Sequence, residues 1–508
     1  MFEPQEKLPW HRSPLLKVGA VVVAAAVALG ALYKFVGYRL LDDKESRYAE
    51  LERSRELQRQ QAANAPAGQA AAPAAASAPP AAADPNAANA NAQQQGQQPA
   101  ANGAATATQA AVADANHAAV AAGRNYWTNF RGPNRDGRYE ERAIKTGGWG
   151  ALKPMWKQPV GDGFSSFVVA DGVAYTIEQR RQQEVVAAYQ VETGRELWKR
   201  EWAGAFSPDD TGDGPRSTPT WDDGRLYALG AEGELECLDA KTGRVVWQKN
   251  ILADNGAQNL QWGTAASPLV VDDKVVVMPG GTSGKAFVAY NKATGARVWS
   301  SQNDRASYTS PMLATLGGKR QIVGVTASRL VGLDPADGSL LWSYSWSTQM
   351  GINVAQPIPV AKNRVFISAG YGHGATLVEL TPQGKGFDAR AVWENTNLKT
   401  KFNSAVYDNG FIYGLDEGIL TCIDLATGER RWKGGRYNYG QVLYASGHLI
   451  VTDGGSGEVA LVKADPAQYT EVARFQAVSG KTWNVPAIAG GRLLIRNGTE
   501  MACYNLAD

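Results

Sequence analysis

The feature that most constrains this chain is a phrase that keeps returning. Tyr189-Gln190-Val191-Glu192-Thr193-Gly194-Arg195-Glu196-Leu197-Trp198 recurs as Leu238–Trp247, Tyr290–Trp299, Leu333–Trp342 and Ile423–Trp432, with degenerate copies ending at Trp393 and Phe475. Trp156 occupies the same slot near the start of the series. The eight aromatic slots, 156, 198, 247, 299, 342, 393, 432 and 475, lie 39 to 52 residues apart. That period suits a four-stranded propeller blade and exceeds the common helical repeats. In most copies an Asp or Asn can hydrogen-bond a tight turn, and the following Gly supplies positive φ. The next strand carries the Trp, whose large ring is placed to pack between neighbouring blades.

Upstream of the phrase lies a second pattern. Val168 to Tyr175, Thr220 to Tyr227 and Val406 to Tyr413 each read as strand, Asp-Gly or Asn-Gly turn, strand, which is a β-hairpin signal. Two hairpin strands plus the two around the Thr-Gly turn make one blade. The last copy, Val485 to Asn505, stops before a fourth strand, whereas Trp156 belongs to a fourth strand that lacks the preceding three. Joining them predicts a ring closed by both ends of the repeat region, which removes open sheet edges. The expected fold is therefore all-β: an eight-bladed propeller of four-stranded antiparallel blades over 124–508, preceded by one transmembrane helix and a disordered linker.

The N-terminal part is different in kind. Val18 to Tyr33 carries no charge and is flanked by Lys17 and Lys34, whose snorkelling extends the apolar span to 15–38, long enough to cross a bilayer. A cleaved signal peptide with Ala28-Leu29-Gly30 as its cleavage site is the alternative. Flanking positive charge does not decide the orientation; the large C-terminal domain favours residues 1–14 in the cytoplasm and the propeller outside. Residues 39–61 read as a charged juxtamembrane helix with pairs such as Glu52/Arg55 and Glu56/Arg59. Residues 62–123 are Ala, Gln, Asn and Pro with Asp84 and Asp114 as their only charges. They cannot bury enough apolar surface to order themselves and read as a tether.

Lys plus Arg number 51 and Asp plus Glu 49, so no electrostatic footprint points to nucleic acid. Cys237, Cys422 and Cys503 occupy one repeat position on three blades, which predicts buried packing rather than disulfides. Asp209-Asp210-Thr211-Gly212-Asp213-Gly214 lacks the downstream Glu of an EF-hand and reads as a surface turn. His373 lies among glycines with no partner in its vicinity and reads as a loop hydrogen-bonder.

The Thr-Gly-x-x-x-Trp repeat with its hairpin resembles the pyrroloquinoline-quinone (PQQ) type propeller repeat of bacterial quinoprotein dehydrogenases and of BamB-type outer-membrane assembly lipoproteins, over about residues 150–508. Phe130-Arg131-Gly132-Pro133-Asn134-Arg135-Asp136-Gly137 is similar to the segment that leads into exported PQQ-like repeat proteins. The resemblance implies either an envelope binding protein or a quinone-dependent oxidoreductase. Quinoprotein alcohol dehydrogenases carry a vicinal Cys pair and calcium ligands beside a catalytic Asp; this chain has no Cys-Cys. BamB-type lipoproteins are anchored through an N-terminal Cys, and no Cys precedes Cys237.

Aligning the hairpins on their turns places Ser165, Ser217, Ala266, Thr309, Ala355, Asn403, Gly440 and Asn484 in one ring around the channel. Ser166, Thr218, Ser267, Ser310, Gln356, Ser404, Gln441 and Val485 form the next, and Phe164, Arg216, Ala265, Tyr308, Val354, Phe402, Tyr439 and Trp483 a bulkier one before. The candidate ligand-binding residues are Arg216, Ser217, Tyr308, Thr309, Gln356, Asn403, Gln441, Trp483 and Asn484. The structural blade residues are Trp156, Trp198, Trp247, Trp299, Trp342, Trp393 and Trp432. No catalytic residue or metal ligand is assigned. The leading expectation is a scaffold at the bacterial inner membrane, single-pass with a periplasmic propeller, binding an envelope protein and needing no cofactor. The alternatives are a quinoprotein oxidoreductase using PQQ with calcium in an atypical pocket, and a carbohydrate- or peptide-processing enzyme using carboxylates such as Asp416 or Glu417.

Overall fold

The computed structural model describes residues 43–61, 126–208, 211–281 and 283–507. The anchor expected at 15–38 and the tether at 62–123 lie outside these residues. A helix covers 43–61, matching the charged segment. No helix among the described residues is long and apolar enough to cross a membrane. The chain divides into two compact units, Met1–Ser54 and Arg55–Asp508.

The second unit holds eight sheets. They span 168–203, 220–250, 269–301, 312–345, 358–395, 406–436 and 442–476 (blades 1 to 7), and 487–505 with Pro154–Pro159 (blade 8). Each is antiparallel and runs from an inner strand to an outer one in chain order. In blade 8 the outer strand is Pro154–Pro159, paired with Glu500–Asn505, so the ring closes with strands from both ends of the repeat region. Blade 7 departs from the expected four strands. Arg138–Tyr139 adds a fifth, parallel to Val442–Ala445 on its inner side.

The hairpin turns follow their chemistry. Asp171-Gly172, Asp223-Gly224, Asn409-Gly410 and Ser446-Gly447 all have positive φ at both residues, the conformation of a two-residue turn matched to strand twist. In the second turn, Asp239 Oδ1 accepts from the Thr242 amide and hydroxyl, and Asp424 Oδ1 accepts from the Ala426 and Thr427 amides.

The Trp of one blade docks on the turn of the next. Trp156, Trp198, Trp247, Trp299, Trp393 and Trp432 each donate the indole N–H to a backbone carbonyl of the following blade, at 2.7 to 3.2 Å. The Gly of that turn lies flat on the ring in most cases: a Cβ at Gly243 would stand 2.5 Å from Trp198, and one at Gly295 2.9 Å from Trp247. Glycine is thus required twice, by φ and by the ring. Trp342 is the exception; it donates to Gln321 within its own blade. Blade 5 has no Thr-Gly turn to receive it, and instead extends a long hairpin, Gly374–Gln383 with Gly386–Asn395.

The outer strands are eight potential edges. In seven blades the register slips by one residue just before the Trp, and such bulges discourage edge-to-edge pairing. Cys237, Cys422 and Cys503 are buried and unpaired in disulfides, with burial pushing each thiol up.

Candidate functional site

The channel has two unlike ends. At one end, the Phe130–Gly137 segment crosses it as a plug. Trp127 bridges Val169 of blade 1, and the Trp221 amide of blade 2 donates to Thr128 O. Arg135, 2% exposed, donates to Ser267 O, Pro268 O and Pro311 O and to Thr220 Oγ1. Arg131, fully buried, reaches Ala405 O at 2.9 Å and Val442 O at 3.2 Å. Two guanidiniums therefore tie together blades 2, 3, 4, 6 and 7 where their inner strands leave carbonyls unpaired. Burial pushes Arg131 down to about 10 and Arg135 to about 9, so both keep their charge at neutral pH.

Above the plug runs a belt of hydrogen bonds. The Ser166 amide donates to Thr218 Oγ1, Thr218 to Ser267 Oγ, Ser267 to Ser310 Oγ, Ser310 to Gln356 Oε1, and Gln356 to Ser404 Oγ, all at 2.7 to 3.0 Å. Gln441 Nε2 then bridges Phe402 O and Trp483 O, and Ser166 Oγ closes the circuit on Val485 O. The small hydroxyls facing the axis are thus spent on neighbouring blades.

The opposite end opens as a funnel of about 420 Å³ with Phe130 at its floor. Arg216, Tyr308 and Trp483 border it, together with Gln441. Ser217, Thr309, Asn403, Asn484 and Gln356 do not. Ser217, Thr309, Asn403 and Asn484 lie in the segments just before the inner strands and turn away from the funnel, and Gln356 is taken up in the belt. Thr309 Oγ1 donates to Val325 O, Asn484 Nδ2 to Gly163 O and Ser165 O, and neither amide atom of the buried Asn403 has a partner.

Aromatic rings pack closely at the mouth. Phe402 stacks on Trp483 with centroids 4.9 Å apart, and Tyr439 meets both edge-on. Lys481 Nζ lies 3.7 Å from the Trp483 centroid. A stacked ring and an ammonium at these distances cannot share a face, so both faces of Trp483 are covered. Trp262, Tyr371 and Lys401 complete the wall. They were not among the candidates read from sequence, because they sit in segments outside the repeat alignment. Burial, with Tyr308, Glu417 and Tyr439 nearby, pushes the Tyr371 phenol up to about 12.

The remaining candidates are structural in their contacts. Asp416 is buried between Lys399 and Lys433 and accepts from the Lys399 amide. The His373 ring stands edge-on to Trp346 at 4.2 Å, and burial lowers its pKa. Thr211 and Gly212 hold Arg216 through Thr211 Oγ1 and Gly212 O; Asp209 and Asp210 lie outside the described residues. Among the described residues no group of three or more His, Cys, Asp or Glu side chains could hold a metal ion.

A family profile described as outer membrane protein assembly factor BamB matches residues 181–434, half of the chain. The chain belongs to that family. It is similar to the assembly factor BamB of Burkholderia pseudomallei, 24% identical over 53% of this chain and 78% of that protein. It is also similar to the quinohemoprotein alcohol dehydrogenase ADH-IIG of Pseudomonas putida, 32% identical over 26% of this chain and 18% of that protein. Among solved structures, the quinohemoprotein alcohol dehydrogenase of Comamonas testosteroni superposes with a TM-score of 0.55, covering 77% of this chain and 82% of its own at 14% identity. BamB of Moraxella catarrhalis superposes at 0.50, covering 70% and 100%, at 16% identity. At these identities the superpositions establish the fold alone.

Proposed function

We propose that this chain is a cell-envelope scaffold whose propeller binds other proteins through the open end of its channel, and that residues 15–38 hold it to the membrane with the propeller on the periplasmic side. The observation that carries the reading is the asymmetry of the channel. One end is sealed by buried arginines whose terminal NH₂ groups reach backbone carbonyls of several blades, whereas the other presents aromatic and cationic side chains around an open funnel. Aromatic residues and Arg are enriched where proteins meet, and charged rims steer encounter. The relatives described as assembly factors support a protein partner. The test is co-extraction of the full-length tagged chain from envelopes in mild detergent. Stoichiometric recovery of an outer-membrane assembly protein supports the reading, and recovery of the chain alone contradicts it.

A second reading, a PQQ-dependent oxidoreductase, is favoured by the quinohemoprotein relative. The residues present do not fit the group well: both faces of Trp483 are covered, and the belt hydroxyls are already bonded. Titrating PQQ with and without Ca²⁺ separates the two readings. Saturable quenching with a raised melting temperature would establish a cofactor site, and a flat response would leave the scaffold.

A further inference from the structure

Beside the funnel lies a second cavity of about 480 Å³, and the two share Trp262, Tyr308 and Ile352 as a common wall. Together they form a two-chambered cleft with an unusual charge balance. The whole chain carries 51 basic and 49 acidic residues, yet no described residue lining either chamber is Asp or Glu, while Arg216, Lys285, Arg305 and Lys401 all are present. Two of these cations are occupied: Arg216 by the Thr211–Gly214 turn and Lys285 by Asn255 O. Arg305 and Lys401 are not. No described carboxylate lies within ion-pair distance of either.

Lys401 is also held in place. Its ammonium sits 5.0 to 5.4 Å from the centroids of Tyr371, Phe402 and Tyr439, a cage that fixes a cation at the rim of the apolar chamber without neutralising it. A fixed, partly desolvated cation beside an apolar wall favours a ligand that brings a carboxylate and an apolar group together. The second chamber differs from the first. Gln258 and Gln261 line it with side-chain amides, groups that donate to and accept from a peptide backbone, while the Asn255 and Asn259 amides beside them are bonded to Ile251 O, the Tyr290 hydroxyl and Ala231 O.

Resting on the scaffold reading above, we infer that the two-chambered cleft binds an acidic peptide segment of the partner protein. An aromatic or large aliphatic side chain enters the funnel, its neighbouring carboxylates meet Lys401 and Arg305, and the backbone runs over the amide-lined chamber. Arg305 is exposed and Lys401 half-buried, so the interaction weakens as salt is raised.

The test uses the full-length protein and short fluorescein-labelled peptides of repeated Glu-Phe-Ser, with counterparts carrying Gln or Lys in place of Glu. Fluorescence anisotropy is read for the native protein and for the Arg305→Gln/Lys401→Gln variant, whose melting curve is checked against the native one. The expected result is that the Glu peptide binds about tenfold or more tightly than the Gln peptide, and that the variant abolishes this preference while melting normally. Equal binding of Glu and Gln peptides, tighter binding of the Lys peptide, no binding of any, or an unchanged preference in the variant would each overturn the inference. Envelope co-extraction of the same variant separates this failure from that of the scaffold reading. Lost peptide discrimination with an intact envelope complex refutes only the acidic-peptide site. A native protein that recovers no envelope partner refutes the scaffold.

Discussion

The two ends of the channel use the same kind of residue for opposite ends. At the closed end, Arg131 and Arg135 are buried, and their guanidinium NH₂ groups meet backbone carbonyls. At the open end, Arg305 and Lys401 stand in a wall whose described residues include no Asp or Glu, and no described carboxylate lies within ion-pair distance of either. A cation whose terminal NH₂ groups are held by carbonyls of its own fold organises that fold; a cation at a cavity without such acceptors is available to something else. The difference is in where the acceptors are, and it separates a structural role from a binding role without reference to residue type.

The comparison makes graded predictions. The largest effect is expected at the plug. Arg135→Ala takes the guanidinium donor from Ser267 O and Pro311 O and opens a void between blades, and should cost about 4 kcal/mol in urea unfolding; a loss below about 1 kcal/mol would mean the plug is dispensable. Next comes a pH effect beneath the open end. Glu184 accepts from the Ala231 amide, and Ala231 O in turn holds the Asn259 side chain and the Thr264 amide of the loop bearing Trp262. Burial pushes the Glu184 carboxyl up to about 7, with that amide pulling the other way. The folded state therefore holds this proton more tightly than the unfolded chain. The stabilisation is complete below the ordinary carboxylate pKa, shrinks as pH rises, and is lost above about 7. Its size is at most about 3 kcal/mol, and Glu184→Gln should remove that part of the pH dependence of the unfolding free energy.

Glu178 runs the other way. Burial would raise it, but Arg180, Arg496 and the Tyr189 hydroxyl outweigh burial and hold it down to about 2, so its contribution is lost only as pH falls into strong acid. A smaller effect is expected in the belt. Ser267→Ala takes away the acceptor of the buried Thr218 amide and should cost about 2 kcal/mol, measured by the same unfolding curves. The smallest is at the open end. Arg305→Gln should change stability by less than about 0.5 kcal/mol, and Lys401→Gln, which gives up its contacts with three rings, by about 1 kcal/mol; losses as large as that of Arg135→Ala would mean these cations serve the fold, and the contrast between the two ends would disappear.

The blades were legible in the sequence because their instructions are local and repeated. A Thr-Gly or Asp-Gly turn and a Trp within ten residues specify a strand pair, and five full copies make the pattern unmistakable. The fifth strand of blade 7 was not legible, because Arg138–Tyr139 pairs with residues some three hundred positions away and occurs once. The same holds for Arg131 and Arg135. Nothing nearby in the chain indicates that their acceptors lie in five different blades, and the motif carried only a family resemblance. The mouth was half legible. Aligning the hairpins brought Arg216, Tyr308 and Trp483 to the funnel, but Ser217, Thr309, Asn403 and Asn484, in the irregular segments before the inner strands, do not line it. Lys401, Trp262 and Tyr371 come from connecting segments whose paths no periodicity records.

The most direct test of the asymmetry is site-specific photo-crosslinking in the native envelope. A photoreactive residue is placed at Met350, 59% exposed on the wall of the open cleft, and in a second variant at Glu140, exposed beside the plug. The account predicts a discrete protein adduct from position 350 and none from position 140. Adducts from position 140 with none from position 350 would place the interaction at the sealed end and contradict it.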